Sequence, residues 1–353
     1  MSRFLDKRLA SLDAYVPGEQ PKRGAFIKLN TNEFPYPPAP KVSECVKNAV
    51  EDVNLYCDLN CKDLKNAFSK VFGYGGENVI FTNGSDEALY LCFLAFCGRE
   101  IGVAFADITY GFYTVYAELC GIDQLQIPLD KDFKIEVDDY YNLNRTIFIA
   151  NPNAPTGLTL SLSQIEDVLK NNPDNVVVID EAYAAFSCES CAVLTEKYDN
   201  LVVVGTFSKS RGLAGARLGY IITNKELARD LETIKYSINP YNVNTLTQAA
   251  GTAVLESNEY YENCVNEMIS TREAFSKELV RLGFNVIPSK ANFVFAKNDK
   301  ISGVELAEKL RDEGILIRRF NKERIFEYVR ISIGTPEQMQ TVVKKIEKIL
   351  GGK

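Results

Sequence analysis

Residues Leu201–Tyr220, with the sequence LVVVGTFSKSRGLAGARLGY, form the stretch that decides the fold of this chain. It begins with an apolar, β-branched run that stops at Gly205, which is typical of a buried strand. A turn rich in hydroxyl groups follows; it carries Lys209 and leads to Arg217. Ligands of open α/β sheets bind beyond the carboxyl ends of the strands. A lysine there could form a Schiff base beside phosphate-binding neighbours, or it could be an ordinary solvated lysine.

A second buried strand is predicted upstream, where an apolar run ends in Asp180 and is followed by Tyr183. Pyridoxal phosphate takes up electrons while its ring nitrogen is protonated, and a neighbouring carboxylate keeps it so. The ordered set Asp180, Tyr183, Ser208, Lys209 and Arg217 resembles the cofactor site of fold-type I aminotransferases. The resemblance implies that Lys209, Asp180 and Tyr183 are catalytic, and that Ser208 and Arg217 hold the cofactor phosphate.

Length and composition are those of an ordinary globular protein. The chain has 353 residues, enough for two domains, with 46% hydrophobic and 25% charged residues. Its net charge of −7 argues against a nucleic-acid partner. No apolar run is long enough to span a membrane, and the first residues lack the apolar core of a signal peptide. We therefore expect a cytoplasmic protein without a membrane partner.

Histidine is absent and cysteine is frequent. With 0 His, catalysis by histidine and metal sites built on histidine are excluded. The 9 Cys have irregular spacing, which suits free thiols in a reducing compartment. A zinc site would need four thiolates, which two close pairs could supply: Cys57 with Cys61, and Cys188 with Cys191. Neither pair has the glycines of a zinc knuckle, so we expect no metal.

The order of predicted elements indicates an α/β protein. Strands alternate with helices from residue 30 to 244, which predicts a large cofactor-binding domain with a mostly parallel sheet flanked by helices. Residues 1–29 are expected to form an N-terminal arm. From residue 245 to 353 the pattern changes to long helices and short strands, which predicts a smaller α+β domain.

The remaining motifs resemble those of histidinol-phosphate aminotransferases along nearly the whole chain. The turn after a short strand at Asn78–Thr82 opens an apolar helix, and free N–H groups at a helix start bind phosphate. The resemblance implies a flat aromatic side chain stacked on the cofactor ring and a tyrosine that reaches the cofactor of the partner in a homodimer. Ala154 stands where relatives most often have asparagine, so Asn153 is a weak candidate instead. The implied cofactor-binding residues are Gly84, Ser85, Asp86, Tyr110, Asn153 and, from the partner subunit, Tyr56.

Two arginines and one tyrosine are candidates for substrate binding. Arg330 and Arg318 match positions at which the family holds the anionic groups of its substrates, and Tyr15 matches a third contact. The resemblance implies transfer of an amino group between L-histidinol phosphate and 2-oxoglutarate, by a ping-pong mechanism, in histidine biosynthesis. Aromatic amino acid aminotransferases and threonine-phosphate decarboxylases share the cofactor motifs and remain alternatives. A non-catalytic regulator that binds pyridoxal phosphate is a more distant one.

Overall fold

The computed structural model describes residues 2–9, 12, 18–22, 24–98, 100–186 and 189–351. Within these residues no helix is both long enough and apolar enough to cross a membrane. The helices are α1 (Pro40–Ala49), α2 (Lys62–Phe72), α3 (Gly84–Phe96), α4 (Phe112–Cys120), α5 (Leu162–Lys170), α6 (Lys225–Ile238), α7 (Thr245–Glu256), α8 (Asn258–Arg281), α9 (Gly303–Asp312) and α10 (Pro336–Leu350).

Thirteen strands form three sheets within the described residues. They are β1 (Ile27–Lys28), β2 (Val79–Thr82), β3 (Val103–Ala106), β4 (Gln124–Ile127), β5 (Thr146–Ala150), β6 (Val177–Asp180), β7 (Leu201–Thr206), β8 (Gly219–Thr223), β9 (Phe284–Ile287), β10 (Phe293–Asn298), β11 (Ile315–Leu316), β12 (Arg318–Arg319) and β13 (Val329–Ser332).

The largest sheet has seven strands in the order β2-β8-β7-β6-β5-β3-β4. Only β8 runs antiparallel to its neighbours, β2 and β7, so the prediction of a mostly parallel sheet is confirmed. Its central strands are apolar and buried along their whole length, as expected where helices cover both faces. One core contains α2, α5 and α7, and the core on the opposite face contains α3, α4 and α6.

A four-stranded antiparallel sheet, β12-β13-β10-β9, lies beside α8, α9 and α10. Its apolar side chains form a core of their own with these helices. Strand β1 pairs in parallel with β11, which ties the start of the chain to this second unit. The predicted fold class, a large α/β domain with a smaller α+β domain, is therefore confirmed.

The predicted boundary between residues 244 and 245 stays a prediction. Helix α7, which begins at Thr245, contributes Ala250, Ala253 and Val254 to a core of the seven-stranded sheet. Gly251 on the same helix lies so close to Leu218 that an added Cβ would be 2.4 Å from the leucine side chain. Helix α7 therefore packs against the larger unit, and α8 is the first long helix whose side chains enter the core of the smaller unit.

Candidate active site

The candidate site lies at the carboxyl ends of β5, β6 and β7, where two residues of the four-stranded sheet, Arg318 and Arg330, also line a cavity. Strand β6 ends at Asp180 and β7 ends at Thr206, and these two parallel strands are direct neighbours. Their following turns bring Tyr183 and Lys209 to one place, as strand ends in an open α/β sheet do. Two adjoining cavities, of about 290 Å³ and about 80 Å³, share Tyr110, Ala154, Tyr183 and Lys209 in their walls.

Lys209 is half-buried between the two cavities. Its Nζ donates to the carbonyl oxygen of Thr31 at 3.1 Å. The same nitrogen lies 5.9 Å from the centre of the Tyr183 ring. The described surroundings of this amine are thus a carbonyl dipole and an aromatic face, which leaves the nitrogen accessible from the cavity for reaction with a carbonyl group.

Asp180 is buried at the floor of the smaller cavity. Tyr113 donates to its Oδ2 at 3.0 Å, and the backbone N–H of Ala182 donates to its Oδ1 at 3.1 Å. Burial nevertheless raises the pKa of this carboxyl to about 6, because the two hydrogen bonds offset only part of the lost hydration. A protonated nitrogen in the cavity would supply the missing positive partner, so the residue fits the pyridinium of pyridoxal phosphate.

Tyr183 follows β6 and is held on two sides. Its ring packs edge-on against Phe293, with centroids 5.2 Å apart. Its hydroxyl oxygen accepts a hydrogen bond from Nδ2 of Asn32 at 2.9 Å. The hydroxyl group therefore lies in the wall that both cavities share, within reach of a ligand bonded to Lys209.

The start of α3 provides the phosphate end of the smaller cavity. Among the described residues no side chain caps the first turn of this helix, so its N–H groups can donate to an anion in the cavity. Strand β8 approaches so closely that a Cβ on Gly219 would lie 2.4 Å from the carbonyl carbon of Gly84 and 2.5 Å from the nitrogen of Ser85. Glycine is therefore required at position 219 for the helix start to take its place.

Arg217 and Ser208 lie at the same end. The Arg217 backbone has a φ of 57°, and its guanidinium pairs with Asp86 at 2.6 Å. Tyr110 donates to the other carboxylate oxygen of Asp86 at 2.7 Å. The Ser208 hydroxyl is buried 3.0 Å from that of Thr206. Cationic, hydroxyl and helix N–H groups in one corner fit the phosphate of pyridoxal phosphate.

The larger cavity ends at two arginines from the smaller sheet. Arg318 and Arg330 are paired in register across β12 and β13. The Arg330 guanidinium lies between two rings, 5.2 Å from the centre of Phe293 and 5.8 Å from that of Phe320, and one nitrogen donates to the Asn30 carbonyl at 3.3 Å. These contacts orient a planar, permanently charged group toward the cavity, which suits an anionic substrate.

Asn153 and Tyr56 do not line either of these two cavities. The Asn153 amide is buried and donates to the carbonyl of Ile108 at 2.9 Å and to Thr156 at 3.0 Å, while Ala154 lines both cavities. Tyr56 is 82% exposed and stacks on Tyr241 with ring centroids 4.2 Å apart. Tyr15 lies outside the described residues.

Several residues at the site were not identified from the sequence. Tyr113 anchors Asp180, Phe320 packs on Arg330, and the segment from Asn30 to Asn32 contacts Lys209, Tyr183 and Arg330. This segment belongs to the sequence LNTNE, which is rich in turn-forming residues. Its contacts are made with residues far along the chain, so local patterns do not predict them.

The described residues contain no group of three or more His, Cys, Asp or Glu side chains that could hold a metal. Cys57 and Cys61 are free thiols, and burial raises the pKa of Cys61 to about 11. Cys191 is not in a disulfide, while Cys188 lies outside the described residues.

The fold and the site together define a pyridoxal-phosphate-dependent aminotransferase. The family model described as aminotransferase class I and II matches residues 25–346, and the chain belongs to this family. Curated relatives named histidinol-phosphate aminotransferase include those of Brachyspira hyodysenteriae, 47% identical over 99% of both chains, and Acinetobacter baylyi, 46% identical over 98% of this chain and 97% of the other. The resemblance inferred from the sequence is thereby confirmed.

Solved structures agree in fold. Histidinol-phosphate aminotransferase from Sinorhizobium meliloti, in complex with pyridoxal-5'-phosphate, has a TM-score of 0.88 over 99% of both chains at 22% identity. L-threonine-O-3-phosphate decarboxylase from Porphyromonas gingivalis has a TM-score of 0.80 over 92% of this chain and 100% of the other at 24% identity. Because two differently named enzymes share this fold, the substrate must be argued from the site itself.

Proposed function

We propose that this protein is a histidinol-phosphate aminotransferase, which transfers an amino group between L-histidinol phosphate and 2-oxoglutarate in histidine biosynthesis. The observation that carries the proposal is the pair Arg318 and Arg330 at the end of the cavity away from Asp180. Both proposed substrates carry an anionic group beyond the reacting carbon, one a phosphate and the other a carboxylate. One pair of guanidinium groups can bind either in turn, as a ping-pong reaction requires.

Pyridoxal phosphate, when bound, supplies the carbonyl carbon that exchanges amines and the ring that takes up electrons from the substrate. Asp180, buried in the wall of the smaller cavity, would keep the proton on the ring nitrogen. Arg217, Ser208, Ser85 and the N–H groups at the start of α3 would hold the phosphate. Lys209, in the wall of the same cavity, would hold the carbonyl end.

Lys209 is the group that moves the proton. Its Nζ atom lies on the cavity wall and would be the base available to a bound substrate. It would take the proton from the substrate α-carbon as general base and would give it back as general acid. Tyr183 would direct its hydroxyl to the cofactor phenolate oxygen, and Tyr110 would pack on the ring, since both line the smaller cavity.

We further propose that the active form is a homodimer. Large apolar side chains are exposed around the segment that precedes α2 and at the end of α6, which makes an apolar surface suited to a second copy of the chain. Tyr56 would then contact the cofactor phosphate of the partner subunit. The irregularly spaced cysteines fit a cytoplasmic location. The exposed residues are Val50, Val53, Leu55, Tyr56, Ile238 and Tyr241.

Steady-state turnover with competing amine donors tests the substrate. We expect 2-oxoglutarate to be converted to glutamate fastest with L-histidinol phosphate, and much more slowly with phenylalanine. Threonine phosphate should give little transamination and no release of carbon dioxide. Faster turnover with phenylalanine would move the protein to the aromatic aminotransferases, and release of carbon dioxide from threonine phosphate would move it to the decarboxylases.

A further inference from the structure

Asn32 occupies an unusual position between the two sheets. It is only 1% exposed, and its φ of 56° places a non-glycine residue in the left-handed region. Its carbonyl oxygen accepts from Nδ2 of Asn292 at 3.0 Å, and its N–H donates to the Ser332 hydroxyl at 2.9 Å. Such a backbone conformation persists only where the surroundings hold it, and residues of this kind cluster at functional sites.

The Ser332 hydroxyl fixes which way the Asn32 side chain points. Because this oxygen already accepts from the Asn32 N–H, its own proton is donated to Oδ1 of Asn32, at 2.9 Å. Oδ1 is therefore the amide atom that faces Ser332, and Nδ2 faces the opposite way. Nδ2 donates to the hydroxyl oxygen of Tyr183 at 2.9 Å.

This contact determines where the Tyr183 proton can go. An amide N–H that donates to the phenolic oxygen occupies one of its acceptor positions and repels the phenolic proton from that direction. The proton is then directed toward the cavity that Tyr183 shares with Lys209, Asp180 and Ala154. Ala154 has no polar side-chain atom, so it contributes no side-chain donor to that wall.

We infer that Asn32 is a positioning residue, which directs the Tyr183 hydroxyl toward the phenolate oxygen of bound pyridoxal phosphate. The inference rests on the proposed function, because it concerns the same cofactor site. A hydrogen bond to the phenolate favours the form of the cofactor that carries this charge. Asn32 therefore lowers the pH at which the absorbance of the bound cofactor changes, although it acts only through Tyr183.

The test is a pH titration of the absorbance of the holoenzyme. Asn32→Gly removes the amide and tolerates the left-handed backbone, while the near-isosteric Asn32→Asp replaces the donor with an acceptor that attracts the Tyr183 proton. We expect both variants to raise the midpoint by roughly half to one pH unit, in the direction of Tyr183→Phe. The other charged or titratable groups facing the cavities, Lys209, Asp180, Tyr110, Arg318 and Arg330, are unchanged in each variant.

A double variant and a matched control separate positioning from general damage. Combined with Tyr183→Phe, Asn32→Asp should add almost nothing to the shift, because its effect requires the phenol. Asn144→Gly makes the same substitution at another left-handed asparagine, φ 50°, on the exposed surface, and should leave the midpoint unchanged.

The outcomes are distinct. An unshifted midpoint in both Asn32 variants, or a shift that adds fully to that of Tyr183→Phe, overturns the inference and leaves the proposed function standing. A wild-type protein whose cofactor absorbance does not respond to an amine substrate overturns both. If Asn32→Gly does not fold, Asn32→Asp retains the shape of the side chain and decides the question alone.

Discussion

Replacing Asp180 with asparagine measures what it costs to hold a carboxyl group under the cofactor cavity. Burial raises the pKa of Asp180 from its usual value of 3.8 to about 6. Since one pKa unit corresponds to about 1.4 kcal/mol, the ionised form costs the folded, cofactor-free protein about 3 kcal/mol at high pH. Asparagine has the same shape, and its oxygen can still accept from the Ala182 N–H while its NH₂ group donates to Tyr113.

The direction of the pH dependence of stability follows from proton binding. The folded protein binds this proton more tightly than the unfolded chain, so the contribution of Asp180 to stability is full below the unfolded pKa and is lost as pH rises through the folded pKa. We expect cofactor-free Asp180→Asn to be more stable than wild type by about 3 kcal/mol near pH 8 and by only about 1 kcal/mol near pH 4.5. For a chain of this length, 3 kcal/mol corresponds to a rise in Tm of roughly 4 °C.

The assay is thermal unfolding of the two cofactor-free proteins, followed by circular dichroism at matched protein concentration over this pH range. Asp132→Asn, at an exposed carboxylate, is the control and should show no such pH-dependent gain. The Asp180→Asn variant should also lose most of its turnover, because the ring nitrogen of the cofactor loses its charged partner. An Asp180→Asn protein that is no more stable than wild type near pH 8 would refute the reasoning.

Three further predictions concern the other parts of the site. Arg330→Ala should lower kcat/KM for L-histidinol phosphate by roughly 10- to 200-fold, because a charge-assisted hydrogen bond to the substrate is lost. The control Arg319→Ala, at an exposed arginine, should leave kcat/KM nearly unchanged. Gly219→Ala should weaken cofactor binding at least about tenfold, because the added Cβ displaces the start of α3. The control Gly215→Ala, where an added Cβ meets nothing within 4 Å, should bind the cofactor normally. Equilibrium titration with the cofactor measures both. Tyr56→Ala and Lys209→Ala proteins should each be inactive alone. When the two are mixed equally and exchange subunits, half of the dimers are mixed, and each mixed dimer has one intact site of two. The mixture should therefore recover about a quarter of native activity. No recovery after verified subunit exchange would contradict the role of Tyr56 across the interface.

The sequence predicted the elements whose ends and faces are marked locally. The start of the last helix, Pro336–Leu350, is marked in the sequence, because Thr335 and Gln338 form a capping box and proline stands in its first turn. The ends of β6 and β7 were predicted from apolar runs that stop at polar residues, and the structure brings Asp180 and Lys209 to the wall of one cavity. Burial on both faces makes such runs easy to recognise.

Other elements had no such local signal. Strand β8 begins at Gly219, directly after the glycine-rich turn, and was not separated from that turn in the sequence. Helix α4, Phe112–Cys120, is rich in aromatic and β-branched residues with weak helix propensity and was not predicted. The contact of Asn32 with Ser332 joins residues 300 positions apart, so only the folded chain can show it.

We propose above that Lys209 and its neighbours serve a pyridoxal phosphate that accepts the amino group of L-histidinol phosphate. The most direct test is the half-reaction, in which purified holoenzyme is mixed with L-histidinol phosphate in the absence of any oxo acid. We predict rapid loss of the yellow cofactor absorbance at low substrate concentration, a sluggish response to phenylalanine, and no response to either in Lys209→Ala. Bleaching by phenylalanine but not by L-histidinol phosphate, or a Lys209→Ala protein that bleaches at the wild-type rate, would contradict the account.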